Sequence, residues 1–241
     1  MKLLVTGASG KLGRELIKVF PDSYHPVHEQ LEITDRPRVF DFVKENLPEA
    51  IIHCAAITGI RECEENKELA WQVNVRGTEN IVDACIKYNK FCYFIYVSTA
   101  CVFNGDKGAY KESDLPQPKN FYSLTKLLSE FIVKRAELSK WLIIRTNFVA
   151  REKWPYPKAF VDRYGTYLFA DDLAIAIKSV VDKQFTGILH VCGKEKLSMF
   201  DLAKVTTHDI KPMTLDEYIG PPLTRDMSLE SERITAFNIT K

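Results

Sequence analysis

The chain has 241 residues, 46% apolar and 11% aromatic, enough to bury a full core in one compact domain with a small C-terminal elaboration. Its 33 basic residues balance 32 acidic ones for a net charge of +1, so no overall positive field gathers nucleic acid or anionic lipid, and neither partner is expected. The six cysteines show no Cys-x-x-Cys pair and no zinc-like spacing with the five histidines. No basic start with a long apolar stretch opens the chain, and no apolar run reaches the roughly 20 residues of a membrane span. Together these predict a reduced, metal-free protein of the cytoplasm.

Through residue 150, short β-rich runs alternate with longer amphipathic stretches, the pattern of βαβ units and a parallel sheet covered on both faces. Strands are predicted at 2–6, 24–28, 50–54, 91–97 and 141–146, and helices at 11–20, 36–45, 64–88 and 122–139. In the last helix Leu124, Leu127, Leu128, Phe131 and Ile132 recur at helical spacing, which predicts that this stripe is buried. Further on, a helix is expected at 170–181, a strand at 187–191 and a helix at 199–205. The segment 151–165, with Trp154, Tyr156 and two prolines, reads as loop. The expected class is α/β, a Rossmann-type doubly wound parallel sheet, divided into residues 1–150 and a small part, 151–241, partly integrated with the first.

Gly7-Ala8-Ser9-Gly10-Lys11-Leu12-Gly13 follows the first strand directly and opens the first helix. Small residues there let the backbone turn tightly against a pyrophosphate, whose charge the helix N-terminus stabilises. A glycine string alone is often just a turn; its place in a βαβ chain favours a dinucleotide. An acid ending the second strand would bind the ribose 2′-hydroxyl of NAD. This chain offers His28 then Glu29 there, with Lys11 and Arg14 available to a 2′-phosphate, so NADP or NAD is expected with a lean to NADP. The same two charges also fit a solvated helix face.

Tyr122 and Lys126 stand four residues apart on one predicted helix, which puts phenol and ammonium on the same face. The cation is expected to stabilise tyrosinate and lower the tyrosine pKa, so that the phenol exchanges a proton with a carbonyl or alcohol oxygen. The Tyr-x-x-x-Lys spacing is common by chance, but Ser98-Thr99 ends an apolar strand where open α/β sheets hold their ligands. Thr99, Tyr122 and Lys126 are therefore the candidate catalytic set, with Thr99 bonding the same substrate oxygen. His53 and Cys54 read as packed strand residues and Cys101 as an inert buried thiol. Asn74 suits either a helix bend or a solvated position, and Trp154, Tyr156 and Phe160 read as a loop folded onto the core rather than a sugar platform.

The spacing Gly-x-x-Gly-x-x-Gly after Thr6 resembles that of the extended short-chain dehydrogenase/reductases, and the chain is most similar to the dTDP-4-dehydrorhamnose reductase family. The likeness runs through 6–14, 31–35, 53–56, 73–78, 98–103, 122–126, 145–149, 162–166, 170–174 and 225–229, nearly the whole chain. It implies that Gly10, Lys11 and Leu12 border the pyrophosphate, with Gly7 and Gly13 in the same cofactor-binding turn, Glu32 and Ile33 the adenine, and Ala55, Ala56 and Ile57 the next strand's side of the cofactor. It further implies that Tyr122 and Lys126 meet cofactor as well as substrate, and that Thr99, Ala100 and Phe148 face the sugar.

The implied activity is NAD(P)H-dependent reduction of a 4-keto-6-deoxy sugar nucleotide in dTDP-rhamnose biosynthesis, by a possible homodimer. Three departures mark the chain: Ala100 where the family has Asp, Phe148 where it often has Trp, and His53 for a usual Asn. Only twelve residues separate Val149 from Asp162, where the family carries an extra helical stretch beside the sugar nucleotide. Two other readings stay open: a sugar-nucleotide epimerase or dehydratase with retained NAD, and a non-catalytic NADP-binding subunit resembling the regulatory subunit of methionine adenosyltransferase.

Overall fold

The structure, a computed structural model, describes residues 1–240. Its centre is a five-stranded parallel sheet formed by β1 (Leu3–Thr6), β2 (Ala50–His53), β3 (Tyr93–Val97), β4 (Lys140–Arg145) and the later strand β9 (Gly187–His190), hydrogen-bonded in that order. Alternate side chains of each strand enter opposite layers, as the pleat requires. On one face Leu3, Val5, Ile52, Ile95 and Ile144 pack with Leu12 and Leu16 of α1 (Lys11–Val19) and Leu173 and Ile177 of α7 (Ala170–Asp182). On the other, Leu4, Ile51, Phe94 and Ile143 meet Val39 and Val43 of α2 (Arg36–Asn46), Ile81 and Cys85 of α5 (Gly77–Asn89), and Val133 of α6 (Phe121–Arg135). This is the expected doubly wound α/β architecture.

The predicted strand 24–28 contracts to a single bridge between Tyr24 and Leu4. Tyr24 exchanges bonds of 2.7 and 2.8 Å with Leu3 and Val5, and Pro26, which lacks an N–H, stops the ladder. The chain therefore leaves β1 first toward that edge and then toward β2 on the other side, so the switch point lies above the end of β1, where ligands bind.

The single helix expected over 64–88 is four pieces: α3 (Ile60–Glu65), α4 (Lys67–Trp71), a π-helical turn (Gln72–Arg76) and α5. Asn66 breaks the first pair because its side chain accepts from the Leu69 N–H at 3.1 Å and starts α4. In α6 the expected stripe is half borne out: Leu127, Leu128 and Ile132 are partly buried, Leu127 and Ile132 against the core, but the stripe's other members and the polar face depart from the pattern. Leu124 and Phe131 are 38% and 47% exposed, whereas Ser123, Thr125, Lys126, Ser129 and Glu130 are buried. The polar face can go inward because it is hydrogen-bonded there: Ser129 donates to Asn74 O at 2.8 Å and Thr125 to Tyr122 O at 2.7 Å.

Short strands shape the rest. β5 (Phe148–Val149) pairs with β8 (Leu168–Phe169), and β7 (Tyr164–Gly165) with β10 (Leu197–Ser198). The stretch 151–165, expected as loop, contains β6 (Lys158–Phe160), which pairs with β11 (Lys211–Met213) beyond the short helix α8 (Met199–Lys204). Among the described residues no helix is long and apolar enough to cross a membrane.

Candidate active site

Gly7 has φ of +69°, and a Cβ there would stand 2.6 Å from Ala55 N; a Cβ on Gly13 would stand 2.2 Å from Gly7 O. The turn closes with Gly10 N–H donating to Gly7 O at 3.0 Å. Gly10 caps α1 without a side-chain acceptor, so the first-turn N–H groups keep their capacity for an anion. Beside this turn lies a cavity of about 770 Å³ that brings together Gly7, Gly10, His28, Glu32, Ile33, Ala55, Ala56 and Ile57. Glu32 accepts from Thr34 N at 2.9 Å and Thr34 Oγ1 at 2.7 Å, and its other oxygen lies 2.8 Å from His28 Nε2. An uncapped helix start, a backbone without Cβ atoms and a long groove fit a dinucleotide. Arg14 is not part of this groove: it is 3.6 Å from Glu152 in a separate surface cleft.

A second cavity of about 500 Å³ contains Lys11, Leu12, Gly13, Thr99, Tyr122, Lys126 and Phe148 and shares Gly7, Gly10, Cys54 and Ala56 with the first. Ala100 does not reach it. That residue is fully buried with its N–H on Thr146 O at 3.0 Å, and Cys101 forms the wall instead. Thr99 is fixed because its Oγ1 accepts from Cys101 N at 3.1 Å, capping a short 3-10 turn at the end of β3. Asn120 fixes the start of α6, accepting from Ser123 N at 2.9 Å and Ser123 Oγ at 2.8 Å, which holds Tyr122 in the first helical turn.

Lys126 does not rest against the phenol as the spacing suggested. Its Nζ donates to Val97 O at 2.8 Å and lies 4.1 Å above the Tyr96 ring. Burial pushes the Tyr122 phenol above its usual range, with Cys101 adding to the rise and Thr99 opposing it, while burial brings the Lys126 ammonium down to about 8. The predicted depression of the tyrosine is thus reversed here, because the buried phenol loses solvation that the lysine, drawn to a strand-end carbonyl, does not replace.

Behind these groups Glu130 and Arg145, 1% and 2% exposed, form a pair with contacts of 2.7, 3.0 and 3.2 Å. Ser98, beside Thr99, donates to Glu130 at 2.6 Å. The π-helical turn places Asn74 so that it bonds both N and O of Ile57, at 2.8 and 2.9 Å, and Thr125 Oγ1 at 3.0 Å. His53 bridges Thr6 at 2.7 Å and Thr78 at 3.1 Å, a packed strand residue as read. Sequence reasoning passed over Tyr167, Met199 and Met227, which complete the second cavity's wall from the C-terminal part. Met227 fell within the stretch of likeness 225–229 and Tyr167 adjoins 162–166, while Met199 carried no such signal.

A switch-point groove for a dinucleotide, opening onto a threonine, a tyrosine and a lysine, defines an extended short-chain dehydrogenase/reductase. The family described as RmlD substrate binding domain matches residues 1–233. The chain is 30% identical to the dTDP-4-dehydrorhamnose reductase of Aggregatibacter actinomycetemcomitans, over 84% of this chain and 76% of that one. It is 36% identical to the methionine adenosyltransferase 2 subunit beta of Xenopus laevis, over 91% and 77%. The crystal structure of dTDP-4-dehydrorhamnose reductase from Bacillus anthracis in complex with NADP superposes with a TM-score of 0.86 at 27% identity, covering 95% of this chain and 91% of that one. The chain belongs to the dTDP-4-dehydrorhamnose reductase family.

Proposed function

We propose that this protein uses NADPH, or NADH, to reduce the ketone of a nucleotide-linked 4-keto-6-deoxy sugar. The observation that carries the reading is the convergence of Thr99, Tyr122 and Lys126 on a cavity continuous with the glycine-turn groove. In this reading residues 1–150 hold the cofactor and 151–241 build the substrate side. Gly7, Gly10 and the start of α1 hold the pyrophosphate, and Ile33, Ala55, Ala56 and Ile57 line the remainder of the dinucleotide. When bound, the nicotinamide supplies the hydride. Thr99 orients the carbonyl oxygen, and Tyr122 gives it a proton. The raised phenol keeps that proton at neutral pH, as a general acid must. Lys126 would leave Val97 O to stabilise the phenolate that Tyr122 becomes and to hold the cofactor's ribose. Phe148 packs against the sugar.

The same reading makes the protein cytoplasmic, homodimeric and free of nucleic-acid or membrane partners; sedimentation of the purified protein tests the dimer. NADPH oxidation against a panel of keto-sugar nucleotides tests the activity. Tyr122→Phe is expected to lower kcat by about 10²-fold or more while cofactor affinity holds. Equal turnover in that variant removes the mechanism. A second reading, a non-catalytic NADP-binding subunit, is favoured by the likeness to the methionine adenosyltransferase subunit over 91% of the chain. It takes precedence if the protein binds NADPH and reduces nothing in the panel.

A further inference from the structure

The wall of the second cavity opposite the glycine turn contains Tyr167, Met199 and Met227. Directly behind the two thioethers lies Arg163, only 7% exposed. Its Nε donates to Thr224 O at 3.0 Å, but Nη1 meets Met199 Sδ at 3.3 Å and Nη2 meets Met227 Sδ at 3.6 Å. Among the described residues no carboxylate lies within ion-pair distance of this guanidinium. Thioether sulfur is a weak acceptor, so a buried cation is left with most of its donors poorly satisfied. The other buried cations differ: Arg145 has the Glu130 carboxylate and Lys126 has the Val97 carbonyl.

A second, independent feature stands on the same wall. The hydroxyl of Tyr167, a residue 4% exposed, has no hydrogen-bond partner among the described residues although the side chain lines the cavity. Burial pushes this phenol up and the Arg163 charge pulls it back, so the two groups share one field. Asp226, whose charge acts on the phenol, is taken up by Lys196 and Ser228. Met227 touches Cys101 Sγ at 3.4 Å on its other side, and Cys101 follows closely on Thr99, so this wall borders the reacting end of the cavity. Methionine side chains rotate easily and fill space without fixing it, so parting them exposes a fork of N–H donors beside a phenolic O–H.

We propose that Arg163 and Tyr167 form an oxyanion subsite of the substrate cavity, screened by Met199 and Met227, that takes a phosphate or carboxylate group of the ligand. The inference rests on the nucleotide-sugar reading for its choice of ligand, and for its place on a buried guanidinium held mainly by thioethers and a phenol without a partner among the described residues. Under the 6-deoxy reading the anion is the diphosphate that joins nucleoside to sugar, since a 6-deoxy sugar has no carboxylate; a site tuned to a sugar carboxylate keeps the nucleotide-sugar part of that reading and replaces its 6-deoxy part.

Calorimetric titration with dTDP, UDP-glucose and UDP-glucuronate, with NADP⁺ present to fill the glycine turn, tests it. If the diphosphate is the ligand, Arg163→Met weakens dTDP itself by about tenfold or more, the size of a lost charge-assisted hydrogen bond. If a carboxylate is, the wild type prefers UDP-glucuronate over UDP-glucose and the variant loses that preference with dTDP unchanged. Tyr167→Phe removes an oxygen that has no partner in the fold, so it folds normally and should weaken the same ligand by about threefold to tenfold. A loss in either variant with NADPH affinity kept supports the subsite. Unchanged affinities in both, or a wild type that binds none of the three probes, overturns it. Failure to turn over a keto sugar leaves this readout intact, which separates the subsite from the catalytic reading.

Discussion

Gly10 and Gly13 stand three residues apart in the same turn, yet the backbone constrains them differently. A Cβ on Gly10 meets one atom, Gly7 O at 3.2 Å, with φ of −72°, whereas one on Gly13 would sit 2.2 Å from that oxygen and 2.6 Å from Ala8 Cα. Gly10→Val is therefore expected to fold and to lose NADPH binding, because its branches occupy the approach to the helix start. Gly13→Ala should unfold more easily, since α1 must move off the turn; thermal melting beside cofactor titration distinguishes the two. At Lys126 the relevant variable is pH. Burial lowers this amine from 10.5 to about 8, so the ammonium is lost as pH rises through that value. Turnover that needs the cation should fall above pH about 8, and a rate profile still flat at pH 9 contradicts the role given to it.

The helix α6 shows how far periodicity carries and where it stops. Its existence and its Tyr122–Lys126 face follow from spacing alone, and of the apolar stripe Leu127 and Ile132 do pack on the core, but Leu124 and Phe131 face outward and the polar face goes in. Hydrophobic pattern assumes that polar groups seek water, but here Ser123 bonds the cap residue Asn120, Thr125 and Ser129 bond Asn74 of the π-helical turn, and Glu130 bonds Ser98 just past β3 and Arg145 of β4. The bend at Asn66 was hidden for the same reason, since a cap inside an amphipathic run is a local bond without a periodic signature. Glu130 gives the element-scale prediction. Glu130→Gln leaves Arg145 buried without its counter-charge, with Nη1 already unpartnered, and should cost roughly 3–5 kcal/mol in denaturant unfolding. Replacing both, as Glu130→Leu with Arg145→Met, should recover most of that loss. A single variant as stable as wild type would show that the pair contributes nothing to the clamp between α6 and the strand ends.

At the scale of the whole molecule the N-terminal sheet was legible because each strand is short, apolar and followed by a helix with its own signals. The C-terminal wall was not, since two- and three-residue strands such as β5, β7 and β10 take their form from partners far away in sequence. Acid stability is a molecular property to which one buried histidine contributes beside the paired carboxylates. His53, buried between Thr6 and Thr78, is lowered by burial and by Lys126 from 6.5 to about 3. Between those values the unfolded chain binds a proton that the native chain refuses, so stability falls as pH drops from 6.5 toward 3. Unfolding free energies of His53→Asn across that window should show a shallower decline than wild type; parallel curves would assign the acid loss to the carboxylates.

The segment 224–230 is sewn into the middle of the molecule. Met227 N donates to Tyr164 O at 2.9 Å, Tyr110 N to Ser228 O at 2.9 Å, Glu230 N to Tyr110 O at 2.8 Å, and Asn147 Nδ2 to Met227 O at 2.8 Å. Translation delivers those residues after every strand of the sheet has been made. A nascent chain that has reached β9 carries the whole glycine turn and all three proposed catalytic side chains but lacks Met199 and Met227 from the wall of the second cavity. Nucleotide capture thus becomes possible on the ribosome before substrate capture does, and a polypeptide halted at residue 223 should hold NADPH while gripping no sugar nucleotide. Ribosome-stalled chains of graded length, assayed for the two ligands separately, would show two thresholds; a single shared threshold would mean that the two halves are completed together.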